Sequence, residues 1–323
     1  MGVTAQGAGD VVVAVDGGGS KTDVAIVSRA RGEVLGRHRG PGCSQHDLGP
    51  ERAAQVVDDC VLEALHEAGV GAARVGHAGC YLTAIDLPDE QATMTALLAR
   101  TSWGDRSLTV ANDLFALLRA GTDEVPAAVV VCGTGINGLA IAADGTIARI
   151  VALGRCSGDW GGGAELAEEA LWCAARAEDG RGEPTRLRDA VLRWSGAACI
   201  DDVSVDVHRG HIDPAAWSHH VPEIFAIAAD GDEVARGLVE RQGREIGLIA
   251  ASLIERLGLQ DHPVPVVLGG GIAASGDRSL LAATAEVLTR RVPDARLTVV
   301  TGAPIDGAIL LALESAGPGM SRP

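Results

Sequence analysis

The chain carries the same arrangement of strands and glycines twice. Near its start, the apolar run Val11–Val15 leads into a glycine loop, and a second apolar run, Val24–Val27, follows. Further along, Val129–Cys132 leads into another glycine loop and then into Leu139–Ala142. Short runs rich in β-branched residues that are separated by turn residues predict strands. Both places therefore have the pattern of a strand, a glycine hairpin and a second strand, which predicts a duplicated α/β unit.

The two halves also continue alike. In the first half, Leu108–Asn112 passes into a helical segment, and in the second half Leu297–Val300 is followed by a helix around Ala308–Leu313. A short polar stretch over 121–126 lies between the halves. We therefore predict an α/β fold with an N-terminal domain over 1–122, a C-terminal domain over 123–303, and a last helix over 304–317 that completes the first domain.

Size, charge and cysteine usage limit the possible partners. A chain of 323 residues is long enough for two domains, each with its own core. A formal net charge of −16 repels nucleic acid and anionic lipid, so we expect neither nucleic acid nor membrane as a partner. The seven cysteines include no CxxC pair, which favours reduced thiols and a cytoplasmic location. The sequence also allows a homodimer.

The first glycine loop follows Asp16 and consists of Gly17, Gly18, Gly19, Ser20, Lys21 and Thr22. It is not a P-loop, because Ser20 separates glycine from lysine and a strand follows instead of a helix. A hairpin turn without side chains still brings backbone N–H groups to phosphate, and Lys21 and the Thr22 hydroxyl add donors. Asp16, at the end of the strand, is a candidate to hold Mg²⁺ through water. The alternative is a plain glycine-rich turn.

Two further glycine loops follow in order. Gly133, Thr134 and Gly135 begin a literal G-x-G-x-x-G match, but a strand comes next, so a dinucleotide-binding fold is excluded and a second phosphate-binding hairpin fits better. Gly269, Gly270 and Gly271 end a buried strand, where bare backbone would let an adenosine approach closely. A simple turn between strand and helix is the alternative for this third loop.

With three such loops in this order, the chain resembles the BadF/BadG/BcrA/BcrD ATPase family of the acetate and sugar kinase/Hsp70/actin superfamily, in the group that includes N-acetylglucosamine kinase. The resemblance implies two ribonuclease H-like (actin-like) domains with an interdomain cleft for ATP and sugar. It implies that Mg·ATP phosphorylates an amino sugar, with the 6-hydroxyl of N-acetylglucosamine as the expected acceptor. It also implies that the first two loops bind the triphosphate and the third contacts adenosine.

The resemblance also assigns catalytic and sugar-binding residues. Asn112 and Asp113 end a strand and open a helix. Asn112 is a candidate sugar contact, and the aspartate that matches Asp113 acts as general base in the related kinases, although Asp113 could instead cap its helix. Asp159 matches a residue that hydrogen-bonds sugar hydroxyls. Trp160 replaces the usual glutamate and could stack on a sugar or fill core space. The remaining candidates, Gln45 and His46, lie in the 40–47 loop, which lacks the usual asparagine.

Two other functions stay open at this stage. One is an ATPase that activates a dehydratase or reductase of the 2-hydroxyacyl-CoA or benzoyl-CoA type; such proteins carry an iron–sulfur cluster, yet only Cys132 lies near a glycine loop here. The other is a nucleotide and sugar sensor without turnover, which would not need Asp113. A group of histidines at 208, 211, 219 and 220 lacks metal-site spacing and is expected to be a solvated loop.

Overall fold

The computed structural model describes residues 9–300 and 302–317. These residues form two compact units. The first contains the described residues up to Asp123 together with those from Gly302 onward, and the second begins at Glu124 and ends before Gly302.

The described residues of the first unit form one five-stranded sheet with the order β3-β2-β1-β4-β5. The strands β1, β2 and β3 pair antiparallel, whereas β4 and β5 continue the sheet parallel to β1. The elements, in chain order, are β1 (Val11–Gly17), β2 (Lys21–Ser28), β3 (Val34–Pro41), α1 (Gln45–Leu48), α2 (Pro50–Glu67), β4 (Val75–Leu82), α3 (Pro88–Leu98), β5 (Leu108–Asn112) and α4 (Leu114–Gly121).

The described part of the second unit repeats this design in the sheet order β10-β9-β6-β7-β8. Strands β6, β7 and β8 pair antiparallel, whereas β9 and β10 continue the sheet parallel to β6. The elements are β6 (Ala127–Cys132), β7 (Ile136–Ile141), β8 (Ile147–Arg149), α5 (Gly163–Glu178), α6 (Leu187–Ser195), α7 (Ile200–His208), α8 (Val221–Ala229), α9 (Glu233–Arg256), β9 (Pro265–Gly269), α10 (Arg278–Arg291) and β10 (Arg296–Val299). The predicted α/β duplication is confirmed.

The last helix, α11 (Pro304–Ala316), packs in the first unit against β1, β4 and α4. It approaches α4 closely at Gly307, where a Cβ atom would lie 2.0 Å from the Ala116 carbonyl oxygen. Two helices can come this near only where one of them lacks a side chain.

The strand β1 is buried along its whole length, which explains its unbroken apolar sequence. Val11, Val13 and Val15 belong to the core that includes α2 residues, whereas Val12 and Ala14 belong to the core that includes α11 residues. A strand that is covered on both faces needs apolar residues at every position rather than at alternate ones. Along residues 9–300 and 302–317, no helix is both long enough and apolar enough to cross a bilayer.

Candidate active site

The first glycine loop is a tight turn between β1 and β2. The Gly18 N–H donates to the Lys21 carbonyl oxygen at 2.8 Å, which closes the turn and leaves Gly19 and Ser20 exposed at its tip. Gly17 lies at the buried base, where a Cβ would come within 2.5 Å of the Cys43 Sγ. The sequence predicts that the Thr22 hydroxyl donates to phosphate, and the structure differs. Its side chain is buried and its hydroxyl donates to the Pro41 carbonyl oxygen at 2.7 Å, so this hydroxyl is engaged by β3 rather than open to phosphate.

The 40–47 loop lies directly on this turn. A Cβ on Gly42 would lie 2.0 Å from the Gly19 carbonyl oxygen, and the Cys43 N–H donates to the Gly18 carbonyl oxygen at 3.0 Å. Backbone therefore packs on backbone here, which only glycine permits. The loop that we assigned to the sugar and the loop that we assigned to phosphate are in direct contact.

Asp16 stands at the end of β1, directly opposite Asp23 in the antiparallel register. Its side chain is buried. Burial, and then the like charge of Asp23, raise the pKa of Asp16 to about 7, against the opposing effect of Lys21 and Arg39. A buried carboxylate beside a second carboxylate offers the hard oxygen ligands that Mg²⁺ prefers, and a bound cation would reduce the repulsion between the two negative charges. Asp16 therefore fits a Mg²⁺ ion.

Asp113 precedes α4, and its side chain makes no capping hydrogen bond. That role belongs to Asn112, whose Oδ1 accepts from the Leu114 N–H at 3.0 Å, while its Nδ2 donates to the Ile85 carbonyl oxygen and to Asp86. The carboxylate of Asp113 is thus left for other chemistry. Burial, followed by the charges of Asp16 and Asp86, raises the pKa of Asp113 to about 7.

Gln45 and His46 lie at the start of α1 and are both engaged. The buried Gln45 amide donates to the Ala84 carbonyl oxygen, and the exposed His46 Nε2 lies 2.7 Å from Glu90 Oε1. His46, Glu90 and Asp86 bring ligand-type atoms within 4.8 Å of one another. Sequence reasoning missed Asp86 and Glu90. Asp86 follows β4 and accepts from Asn112 at the end of β5, and its position after a strand was a signal that could have been used.

In the second unit, the second glycine loop packs on the start of α5. The Gly163 N–H donates to the Gly133 carbonyl oxygen at 2.8 Å, and the Ala164 N–H donates to the Thr134 carbonyl oxygen at 2.9 Å. Gly162 has a φ of +89°, and a Cβ there would lie 2.5 Å from the Cα of Gly135. Gly133 and Gly135 themselves have open space where a Cβ would be, so their backbone remains accessible.

The third glycine loop approaches the end of the same strand, β6. Gly269 ends β9, which pairs parallel with β6. Gly270 has a φ of +92°, and a Cβ there would lie 2.3 Å from the Cys132 carbonyl oxygen, while Gly271 is open. The ends of two parallel neighbours therefore carry both predicted loops, as expected for a ligand site in an α/β sheet.

Asp159 and Trp160 lie in the segment before α5. Asp159 is partly exposed and accepts a hydrogen bond from the Ser157 hydroxyl. Trp160 is buried in the core of the second unit, with its Nε1–H donating to Glu169 Oε1 at 3.2 Å. The Arg241 guanidinium covers the ring at 3.9 Å from its centroid. Of the two roles considered for Trp160, this arrangement favours core packing over stacking on a sugar.

Replacing this tryptophan tests that interpretation. We expect Trp160→Phe to lower the free energy of unfolding by about 1 kcal/mol, because it removes a hydrogen bond and some ring area, and to leave the KM for sugar unchanged. Denaturant unfolding and steady-state kinetics measure the two effects. A clear rise in the sugar KM without loss of stability would instead assign the ring to the sugar.

Two supporting residues were not found from the sequence. Gln242 in α9 is fully buried, and its Oε1 accepts from the Gly162 N–H at 2.8 Å; within the described residues its Nε2 has no hydrogen-bond partner. Ser218 lies against Gly163, and a Cβ added to Gly163 would be 3.0 Å from the Cβ of Ser218. Polar residues far along the chain gave no local signal of these contacts.

The histidine segment next to Ser218 differs in part from the expected solvated loop. His208, His211 and His219 are exposed, as expected. His220, however, stacks on Trp194 with ring centroids 5.2 Å apart and an interplanar angle of 3°.

The duplicated units and their glycine hairpins define a two-domain fold of the actin-like class. A family comparison identifies it further: the chain belongs to the BadF/BadG/BcrA/BcrD ATPase family, whose profile matches residues 13–312. The family expected from the glycine loops is therefore confirmed.

Named relatives of similar length agree with this family. The chain is 25% identical to the N-acetyl-D-glucosamine kinase of Dictyostelium discoideum, over 95% of this chain and 98% of that one. It is 23% identical to the N-acetylmuramic acid/N-acetylglucosamine kinase of Clostridium acetobutylicum, over 81% and 85%. A crystal structure from Chromobacterium violaceum, described as a candidate N-acetylglucosamine kinase, superposes with a TM-score of 0.71 at 25% identity, over 94% of this chain and 99% of that one.

Proposed function

We propose that this protein is an ATP-dependent sugar kinase that transfers the γ-phosphoryl group to a hydroxyl of an amino sugar, with N-acetylglucosamine and its 6-hydroxyl as the acceptor. The observation that carries the proposal is the state of Asp113. Its carboxylate stands at a strand end with no capping role, in surroundings that raise its pKa to about 7. A carboxylate with a pKa near neutrality suits a general base, whereas a binding protein needs none.

In the proposed reaction Asp113 orients the acceptor hydroxyl and takes its proton. The hydroxyl oxygen forms a bond to the γ-phosphorus while the bond from that phosphorus to the β-γ bridging oxygen breaks, so ADP leaves with the electron pair. The proton ends on the Asp113 carboxylate and is later lost to water. General-base catalysis of this kind contributes about 10²–10⁴-fold, and alignment of the reactants must supply much of the rest.

The candidate residues for the nucleotide are assigned for each unit separately. In the first unit we assign the exposed backbone of Gly19 and Ser20, with Lys21, to phosphate, because Gly17 is buried and the Gly18 N–H is already bonded to the Lys21 carbonyl oxygen. In the second unit we assign Gly133, Thr134 and Gly135 to phosphate and Gly269, Gly270 and Gly271 to adenosine. Asp16 would hold Mg²⁺, which would neutralise charge on the phosphate oxygens. The open space at Gly19, Gly133, Gly135 and Gly271 supports this assignment.

Four residues are considered for contact with the acceptor sugar. Asp159 is our first candidate for a sugar contact, because it is partly exposed and the Ser157 hydroxyl orients its carboxylate. His46 is exposed and comes next, whereas Gln45 and Asn112 are buried and already hydrogen-bonded within the fold. The named relatives act on N-acetylglucosamine, and one of them also on N-acetylmuramic acid, which supports an amino sugar. Homodimer formation and a cytoplasmic location stay predictions.

A coupled assay of ADP release tests the function directly. The purified chain with Mg·ATP is offered N-acetylglucosamine, N-acetylmuramic acid, glucosamine and glucose in turn, and the product is analysed for the phosphorylated position. We expect N-acetylglucosamine 6-phosphate as the main product. Stoichiometric nucleotide binding without sugar-dependent ADP release would favour the sensor, and bound iron in the purified protein would favour the dehydratase activator.

The activity should depend on pH near neutrality. Because the general base must be ionised and its pKa is raised to about 7, we expect kcat/KM for ATP to rise with pH through about 7 and to level off above it. Asp16 has a pKa of about 7 as well, so both Asp16 and Asp113 titrate as the pH rises. The acidic side of the curve of kcat/KM against pH should therefore be steeper than that of a single group. A pH series of initial rates measures this, and a flat profile between pH 5.5 and 8.5, an interval of about 1.5 pH units on either side of 7, would contradict it.

A further inference from the structure

Three neighbouring strands of the first unit place charged residues side by side. Asp16 on β1 lies directly opposite Asp23 on β2, and Asp23 lies directly opposite Arg39 on β3. Directly opposite residues point to the same face of a sheet, so the three side chains form one row. Two carboxylates in direct opposition destabilise a sheet unless a positive charge compensates them.

Asp23 has that compensation from two cations. Arg39 donates from Nε to Oδ1 at 2.6 Å and from Nη2 to Oδ2 at 3.1 Å, and the Lys21 Nζ lies 3.0 Å from the same Oδ2. The Asp23 side chain is only 9% exposed, whereas that of Lys21 is 44% exposed. The carboxylate is therefore a buried anchor, and the lysine ammonium is the exposed end of the contact.

The carboxylate of Asp23 is held in its charged form. Burial alone would raise its pKa, but the hydrogen bonds from Arg39 and Lys21 keep the pKa below the usual value for aspartate. An arginine that binds with two parallel hydrogen bonds also fixes the orientation of the carboxylate. Oδ2 consequently stays directed at Lys21, two residues earlier on the same face of β2.

We propose that Asp23 is a positioning residue of the nucleotide site, which holds the Lys21 ammonium beside the first glycine loop in readiness for the ATP phosphates. The inference rests on the proposed function, because it takes Lys21 as a phosphate ligand. A free lysine has four rotatable bonds and loses much conformational freedom when it binds phosphate. A lysine that the carboxylate already orders loses less, so the nucleotide binds more tightly.

Binding measurements on the full chain test the proposal without any turnover. Mg·AMP-PNP and adenosine are titrated by calorimetry into the unaltered protein, Asp23→Asn, Lys21→Ala and the double variant. We expect Asp23→Asn to weaken AMP-PNP about tenfold, the effect of one charge-assisted hydrogen bond. Adenosine affinity should stay the same, because adenosine has no phosphate for Lys21 to contact. In the double variant, AMP-PNP affinity should equal that of Lys21→Ala alone.

Two arginines of β3 provide a matched control. Arg37 lies two residues before Arg39 and pairs instead with the exposed Asp306 at 3.1 Å. Arg37→Gln and Arg39→Gln each remove one positive charge from the same strand, so both change the general attraction for ATP alike. We expect Arg39→Gln to weaken AMP-PNP about threefold more than Arg37→Gln does, since it also removes one of the two groups that hold Asp23.

Several outcomes would overturn the proposal. Unchanged or tighter AMP-PNP binding in Asp23→Asn would mean that Asp23 does not assist Lys21 or that it competes with phosphate. An equal loss of adenosine affinity, or an independent effect in the Lys21→Ala background, would indicate general damage to the hairpin. A different result would contradict the kinase assignment, namely an unaltered chain that binds AMP-PNP but phosphorylates no sugar. In that case the variants still decide the role of Asp23. An unaltered chain that does not bind AMP-PNP overturns both.

Discussion

Asp113→Asn is expected to lower kcat for sugar phosphorylation by about 10²–10⁴-fold and to leave ATP affinity nearly unchanged. Asparagine keeps the shape of the side chain but cannot accept the hydroxyl proton. The loss should therefore fall on the transition state rather than on the bound ground state. Steady-state rates and AMP-PNP titration separate the two, and turnover within about threefold of the unaltered enzyme would remove Asp113 from the role of general base.

The stability of the same variant provides an internal control. The pKa of Asp113 is raised to about 7 in the folded protein, above its value in an unfolded chain, so the folded state binds the proton more tightly. The stability that this residue contributes is greatest below the unfolded pKa and falls as pH rises to about 7. Asparagine carries no charge, so Asp113→Asn should unfold at equal or higher denaturant concentration than the unaltered chain at pH 8.

A carboxylate elsewhere in the first unit serves as the matched control for charge. Asp89 is exposed in the first turn of α3. Asp89→Asn removes the same charge from the same unit, and we expect kcat to stay within about twofold. Equal losses in both variants would point to net charge rather than to the proton acceptor.

Gly162→Ala is expected to lower both the stability of the second unit and the rate of phosphorylation. A Cβ at this residue would lie 2.5 Å from backbone atoms of Gly135, and the φ of +89° disfavours any side chain. The backbone strain costs about 1–2 kcal/mol and the overpacking about 1–3 kcal/mol. The second loop must also shift, and a shift of about 1 Å in a positioning element can reduce kcat about 10²-fold.

Gly180→Ala separates these contributions. Gly180 has a φ of +78° in an exposed turn of the same unit, and nothing lies within 4 Å of the position of its Cβ. This variant bears the backbone strain without the clash, so it should lose about 1 kcal/mol of stability and no activity. Equal activity loss in both variants would contradict a role for the contact between Gly162 and Gly135.

The sequence predicted the parts of the fold that depend on local patterns. The apolar runs before the glycine loops predicted the strands β1, β6 and β9, and the glycines predicted the turns that follow them. Asp16 was a candidate because it ends a strand directly before a glycine loop. Asp113 was a candidate because it stands between a strand and a helix, where the family resemblance implies a general base.

Contacts between distant residues were not predictable in this way. Gln242 lies in the middle of a long amphipathic helix, where a polar residue normally faces solvent, yet it is fully buried against a glycine 80 residues earlier. Trp160 was ambiguous for the same reason, because its Arg241 partner is set by helix packing and not by spacing. The capping role of Asn112 was likewise hidden, since either of two adjacent polar residues could have supplied the cap.

The close approach of Gly42 to Gly19 has a thermodynamic consequence. Because the 40–47 loop and the first glycine loop touch through their backbones, neither can move without displacing the other. If sugar orders the 40–47 loop and nucleotide orders the glycine loop, the ligand that binds first also restricts the loop of the other. The second ligand then loses less conformational entropy on binding. The factor by which sugar tightens ATP must then equal the factor by which ATP tightens sugar. Gly42 would in that case set the size of this reciprocal coupling between the two ligands.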